Sequence, residues 1–262
     1  MGHGKFGHVA SLSDDVRAKY AVSSGNCNTY TVGGTTLKNC STQVNIRIAS
    51  GAPIGTAGGP NGSNNLDFGS YDDRTPDPPF ANPARWGPNV LRAVCPVDYF
   101  SADLRTVLRG KLGDENGKPR TVAPVCGEVA QDKLGTVQGV WFVKGTKQTY
   151  PEDQHLALGH HNVDPSMGIF SVGTSLQQRG LPSEPYSFTP THTSLVNRDF
   201  GEVTDIGTTY CYETKGRFGN SANPVIILSM VSPTALRIEK LSAGTCGSGP
   251  WSFGAGAVEF ER

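Results

Sequence analysis

Glycine and proline make up about a fifth of this 262-residue chain, with 33 Gly and 18 Pro. That density limits what the chain can fold into. Inside a helix Gly is worse than Ala by roughly 1 kcal/mol and Pro by roughly 3 kcal/mol. Long helices are therefore disfavoured, and short segments joined by turns are expected. The length fits one large or two small domains. No apolar run approaches the ~20 residues that a membrane-spanning helix needs. Lys plus Arg (23) balance Asp plus Glu (23). A nucleic-acid binder relying on bulk positive charge is excluded, because phosphate affinity rests mainly on Lys and Arg.

Period-two alternation marks the expected strands. Val44, Ile46 and Ile48 alternate with Asn45 and Arg47, and 54–58 and 65–68 follow as two more short strands. Pro76, Pro78, Pro79, Pro83 and Pro88 then crowd a polar stretch that reads as a linker. One helix is expected near 101–112. Ser101 stands at its N-cap, Leu104, Val107, Leu108 and Leu112 share one face, and Gly113 ends it. Strands are expected at 137–143, 155–160, 168–172, 208–213, 224–230, 236–241 and 258–260. The fold expectation is therefore mainly β. A small barrel-like module occupies 1–72, a Pro-rich linker 73–90, and a larger disulfide-containing β-sandwich or barrel 91–262.

Six cysteines, Cys27, Cys40, Cys95, Cys126, Cys211 and Cys246, are widely spaced and include no C-x-x-C. An even count without metal-ligand spacing reads as three disulfides, which implies an exported protein, secreted or periplasmic. Six cysteines allow 15 pairings. Sequential pairing is the simplest of them, and sequence does not choose. The opening residues Met1 to Lys5 lack the apolar stretch of a signal peptide, so export requires a leader that is not in this sequence.

Residues 6–71 resemble the core of the lysostaphin-type zinc endopeptidases. Phe6-Gly7-His8-Val9 matches that family's aromatic-small-His-aliphatic strand end. Val44-Asn45-Ile46-Arg47-Ile48-Ala49-Ser50-Gly51-Ala52-Pro53-Ile54-Gly55 matches its strand-turn-strand. Asn65-Leu66-Asp67-Phe68 falls where the family carries H-x-H-F. The likeness implies a barrel-like β fold for this part. It places His8 at the catalytic histidine and Asp67 at a zinc-ligand position. Residues i and i+2 of a strand share a face, which is how an H-x-H pair meets one zinc. Asn65 is a poor ligand, and the family's upstream H-x-x-x-D has no counterpart. The resemblance thus implies the family's fold without its peptidase activity, in a shortened or incomplete domain.

Other residues carry candidate chemistry. His155, His160 and His161, with Asp153 nearby, have the composition of a transition-metal site. In a straight strand, however, His155 and His160 face opposite ways, and a polar strand end is the simpler reading. No G-x-S-x-G nucleophile elbow exists. Asp72-Asp73 and Glu152-Asp153 read as solvated turns rather than as acid/base pairs. Gly244–Gly249 lacks the lysine and following helix of a phosphate loop. Trp86 and Trp141, with Phe142, Tyr99, Tyr150, Tyr186 and Trp251, are candidates for a sugar-stacking platform, and Trp86 in the Pro-rich stretch is the best placed.

The expected function is an exported, non-catalytic module that binds a cell-envelope or extracellular polymer such as peptidoglycan or another polysaccharide. It has no cofactor, no nucleic-acid partner and no transmembrane segment. One alternative is a metal-dependent hydrolase using zinc on His8, Asp67 and the His155, His160 and His161 group. A second is a structural, self-assembling extracellular protein.

Overall fold

A computed structural model describes residues 2–19, 27–32, 35–58, 66–114, 116–147, 154–216 and 223–262. Asn65 and the Tyr150, Glu152 and Asp153 positions lie outside the described residues. The chain is mainly β and divides into two compact units, His3–Ser70 and Tyr71–Arg262, the latter joined by the first two residues.

In the smaller unit the strands pair two by two. Strand β1 (Gly2–Gly7) is followed by β2 (Val9–Leu12) and the single-turn helix α1 (Asp14–Arg17). Then come β3 (Cys27–Val32), β4 (Thr35–Cys40), β5 (Gly55–Ala57) and β6 (Asp67–Asp72). β1 lies beside β6, β2 pairs antiparallel with β5, and β3 and β4 form a hairpin. The hairpin register sets Cys27 opposite Cys40, and the two form a disulfide. The expected strand at 44–48 does not form. Residues 41–49 carry no strand, and Val44 and Ile48 are exposed. Alternation fits a segment for a ladder, but a ladder also needs a neighbouring edge to supply its hydrogen bonds, and no described strand pairs with this stretch.

In the larger unit, Asp72 N–H donates to Arg92 O at 2.8 Å, just ahead of β7 (Ala93–Val94). Helix α2 (Pro88–Leu91) precedes it, and α3 (Ala102–Arg109) follows at the expected place. The apolar face of α3 is not core: Leu104 and Val107 are exposed. Then come β8 (Gly139–Val143), β9 (Leu156–His160), β10 (Gly168–Val172) and β11 (Pro185–Phe188). The last group is β12 (Tyr210–Glu213), β13 (Lys215–Gly216), β14 (Val225–Ser232), β15 (Ala235–Leu241) and β16 (Val258–Glu261).

These nine strands form one antiparallel sheet in the order β12-β14-β15-β16-β8-β9-β10-β11-β13. Its two edge strands, β12 and β13, are consecutive in the chain and separated by Thr214 alone. Segment 210–216 pairs with β14 through its first half and with β11 through its second. The sheet thereby curls into a nearly closed barrel in which each strand lies beside its sequence neighbours, and β16 returns to β8. An eight-position barrel is just wide enough for side chains to fill, and here they do. Trp141, Leu158, Phe170, Tyr212, Ile226, Leu236 and Phe260 belong to one buried cluster.

The outer surface is covered in two places. Cys211, Val225 and Ile227 point away from the barrel interior and are packed by Trp251 and Phe253, next to the Cys211–Cys246 disulfide. Phe142, outward on β8, is covered by Trp86, and the Arg85 guanidinium lies 4.3 Å over its ring. A third disulfide joins Cys95 to Cys126. All three pairings are therefore sequential. β11 and β13 had no counterpart among the expected strands.

Gly168 stands opposite Phe188, and a Cβ there would overlap the Phe188 ring. Gly168→Ala is expected to lower stability by about 1–3 kcal/mol, the usual range for overpacking a filled core. Urea unfolding measures it, and an unchanged midpoint would contradict a tightly filled barrel.

Candidate functional site

The outward face of β8, β9 and β10 carries a hollow with an aromatic wall. Pleating sends Leu156 and Leu158 into the barrel and leaves His155, Ala157 and Gly159 outside. Register sets Val140 opposite Ala157, Ala157 opposite Ser171, and Gly159 opposite Ile169. Ala157, Gly159 and Ser171 are small beside Val140 and Ile169, and the sheet surface is depressed at them. A cavity of about 340 Å³ lies over this floor, lined by Trp86, Phe142, His155, Ala157, Ser171 and Ser183 among others. A second, of about 200 Å³, is lined by Glu128, Gln131, Asp132, Gly159 and Ile169 and shares Val140, Ala157 and Ser171 with the first. The shared floor makes them one trough running along the strands.

Trp86 forms the wall at one end. It follows a short 3₁₀ turn, Pro83–Arg85, whose proline sits where no backbone N–H is needed. Its ring is half-buried, 4.8 Å from Phe80 and 5.8 Å from Phe142. The opposite wall is built by Gln131 and Asp132. Gln131 Oε1 accepts from His160 N–H at 2.6 Å, and its Nε2 donates to His160 O at 3.0 Å. It lies directly over Gly159, where a Cβ would stand 2.7 Å from Oε1. Asp132 Oδ1 accepts from Val140 N–H (2.9 Å) and Oδ2 from Ala81 N–H (2.7 Å). The second bond ties the Trp86 strap to the far wall, and Cys95–Cys126 links the same two stretches covalently.

Both Asp132 oxygens thus serve backbone donors, whereas the Glu128 side chain and the Ser171 hydroxyl stand on exposed residues. Among the described residues, neither part of the trough is lined by Lys or Arg. Two other hollows, of about 430 and 420 Å³, are lined by charges of both signs. In the second of these, Lys118 Nζ already pairs with Asp164 at 2.6 Å and holds that carboxyl down to about 2.

The three clustered histidines do three separate jobs. His155 is buried just before β9. Its Nδ1 accepts from Val143 N–H at 3.2 Å, and its ring meets Phe142 edge-on at 4.9 Å. His160, at the inward end of β9, places Nε2 2.8 Å from Asp199 Oδ2. That contact, helped by Gly201 N–H, holds the Asp199 carboxyl below its ordinary range. His161 Nδ1 accepts from Val163 N–H and Asp164 N–H. They do not converge on one point. In the smaller unit His8 is exposed, with a left-handed φ of 55°, and Asp67 is exposed opposite Gly7. Among the described residues no three His, Cys, Asp or Glu gather as a metal site would require.

Trp141 is corrected as a ligand-binding residue. It is fully buried in the barrel, its Nε1 donates to Val137 O at 2.7 Å, and Arg262 lies over its ring at 3.9 Å. Burial pushes the Arg262 guanidinium down to about 10. The residues that sequence reasoning missed are Ala157, Gly159, Ser171 and Gln131. The first three are small outward residues on the adjacent strands β9 and β10, a signal that requires the register, and Gln131 lies outside any strand.

The strap that carries Trp86 is anchored at its start by Asp72. This buried carboxylate accepts from Arg74 Nη2 (2.6 Å), Arg74 Nε (2.8 Å) and Tyr99 O–H (2.6 Å). The Arg74 bonds first, then the Tyr99 bond, hold it far below its ordinary 3.8. A depressed folded pKa contributes stability that is complete above the unfolded value and is lost as pH falls through the folded one. Asp72→Asn is therefore expected to lower the thermal midpoint at neutral pH. The difference from the wild type should shrink as the pH drops below 3.8. A difference independent of pH would contradict this anchoring.

The chain matches no protein-family model, no curated protein and no solved structure.

Proposed function

We propose that this chain is an exported, non-catalytic module that holds a neutral polysaccharide of the cell envelope or extracellular matrix in the trough on β8–β10. The observation that carries the reading is the trough itself: one aromatic wall at Trp86, a floor lowered at Ala157, Gly159 and Ser171, and no Lys or Arg among the described lining residues. An aromatic ring offers an apolar face on which the C–H face of a sugar ring stacks, while its edges stay polar. The cavity volume lies in the range of small-ligand sites. The absence of cationic lining disfavours polyanions, because nothing there compensates their charge. Three disulfides agree with an oxidising compartment. The lysostaphin-type likeness of residues 6–71 adds a cell-wall scaffold to the reading, with binding retained in place of catalysis.

The test is retention on insoluble polysaccharide and on purified peptidoglycan, with and without chelator. Retention is expected to survive chelation and to fall by at least about tenfold in Trp86→Ala, the equivalent of about 1.4 kcal/mol. Equal retention of the wild type and Trp86→Ala, or no retention on any of these polymers, would overturn the reading.

A further inference from the structure

We infer that the trough is a two-ended site that recognises a linear run of sugar rings, with ring stacking at Trp86 and hydrogen bonding at Ser171 and Glu128. This inference rests on the polysaccharide reading and adds the length and polarity of its ligand.

The two cavities share Val140, Ala157 and Ser171, so a ligand leaving the Trp86 end stays on the same floor. Along β9 the floor runs from His155 to Gly159. Four residue steps at ~3.3 Å give ~13 Å, longer than one pyranose ring. The chemistry changes along that length. The Trp86 end is aromatic, with Phe142 and the edge of His155 beneath it. The middle carries the exposed Ser171 hydroxyl, which can donate to and accept from a sugar hydroxyl. The far end carries Glu128, a carboxylate that accepts only, beside Asp132, whose oxygens are both occupied. A chain of hydroxyl-rich rings matches that sequence of stacking face, mixed donor and acceptor, and pure acceptor. Gln131 is the positioning residue of the far wall. It takes both backbone groups of His160 and leaves no room for a Cβ at Gly159.

The experiment is calorimetric titration of the full chain with two neutral oligosaccharide series, each of one to five units: β-1,4-linked N-acetylglucosamine and β-1,4-linked glucose. In the series that binds, affinity is expected to rise about tenfold or more from one unit to the length that fills the trough, and then to level off. Trp86→Ala weakens every length. Glu128→Ala and Ser171→Ala flatten the dependence on length. Gly159→Ala displaces Gln131 and also flattens it, with circular dichroism confirming the fold of each variant. If a single unit binds as tightly as five, the two-ended site is overturned while the polysaccharide reading stands. The same holds if Glu128→Ala and Ser171→Ala keep the full dependence on length. If no member of either series binds, both fall.

Discussion

The closure of the sheet by segment 210–216 is the constraint from which the rest of the larger unit follows. Tyr210–Glu213 pairs with β14 and Lys215–Gly216 with β11. Thr214 sits at the changeover, buried, with its hydroxyl donating to Pro224 O at 2.8 Å. Because one strand serves both edges, the sheet has an inside and an outside, and every alternating residue is assigned to one of them. Phe170, Phe188, Phe200 and Tyr212 fill the inside, with ring centroids 4.8–5.7 Å apart and mostly edge-to-face. A filled barrel leaves no room for a ligand within, so any binding surface of this unit must lie on its outer face or at its ends.

On the outside, covering is selective. Trp251 and Phe253 pack the face around Cys211, and the Trp86 strap packs Phe142. Between them Ala157, Gly159 and Ser171 remain at the floor of a trough. Its walls are braced by backbone-directed bonds from Asp132 and Gln131 and by the Cys95–Cys126 link. A site built this way has its supporting contacts in place before any ligand arrives, which reduces the ordering that binding must impose.

Most of the barrel was legible in the sequence because its strands are short apolar runs, such as Val225–Ser232 and Gly139–Val143, separated by turn signals. Gly168–Val172 appears with the expected bounds, and the other expected barrel strands appear within about two residues. Pro185–Phe188 opens on a proline and spans only four residues, too few to show a clear period. Lys215–Gly216 is too short to show a period. Val44–Ile48 had the pattern, but no described strand pairs with it, and the apolar stripe of α3 leaves Leu104 and Val107 exposed while Leu108 and Leu112 are partly covered. The site was half legible. Trp86 stood out by its Pro-rich surroundings. Trp141 did not differ from it in type, and only the inward register of β8 removes it. The floor residues are unremarkable singly and become a trough only when three strands are aligned.

An NMR titration of the tryptophan indole N–H signals with a soluble neutral oligosaccharide distinguishes binding in the trough from binding elsewhere on the barrel. The chain contains three tryptophans: Trp86 walls the trough, Trp141 is sealed in the barrel, and Trp251 packs the opposite outer cluster. The account predicts that the Trp86 signal shifts in a saturable way while those of Trp141 and Trp251 stay in place. A saturable shift at Trp251 with Trp86 unmoved, or no shift at any of the three, would contradict it.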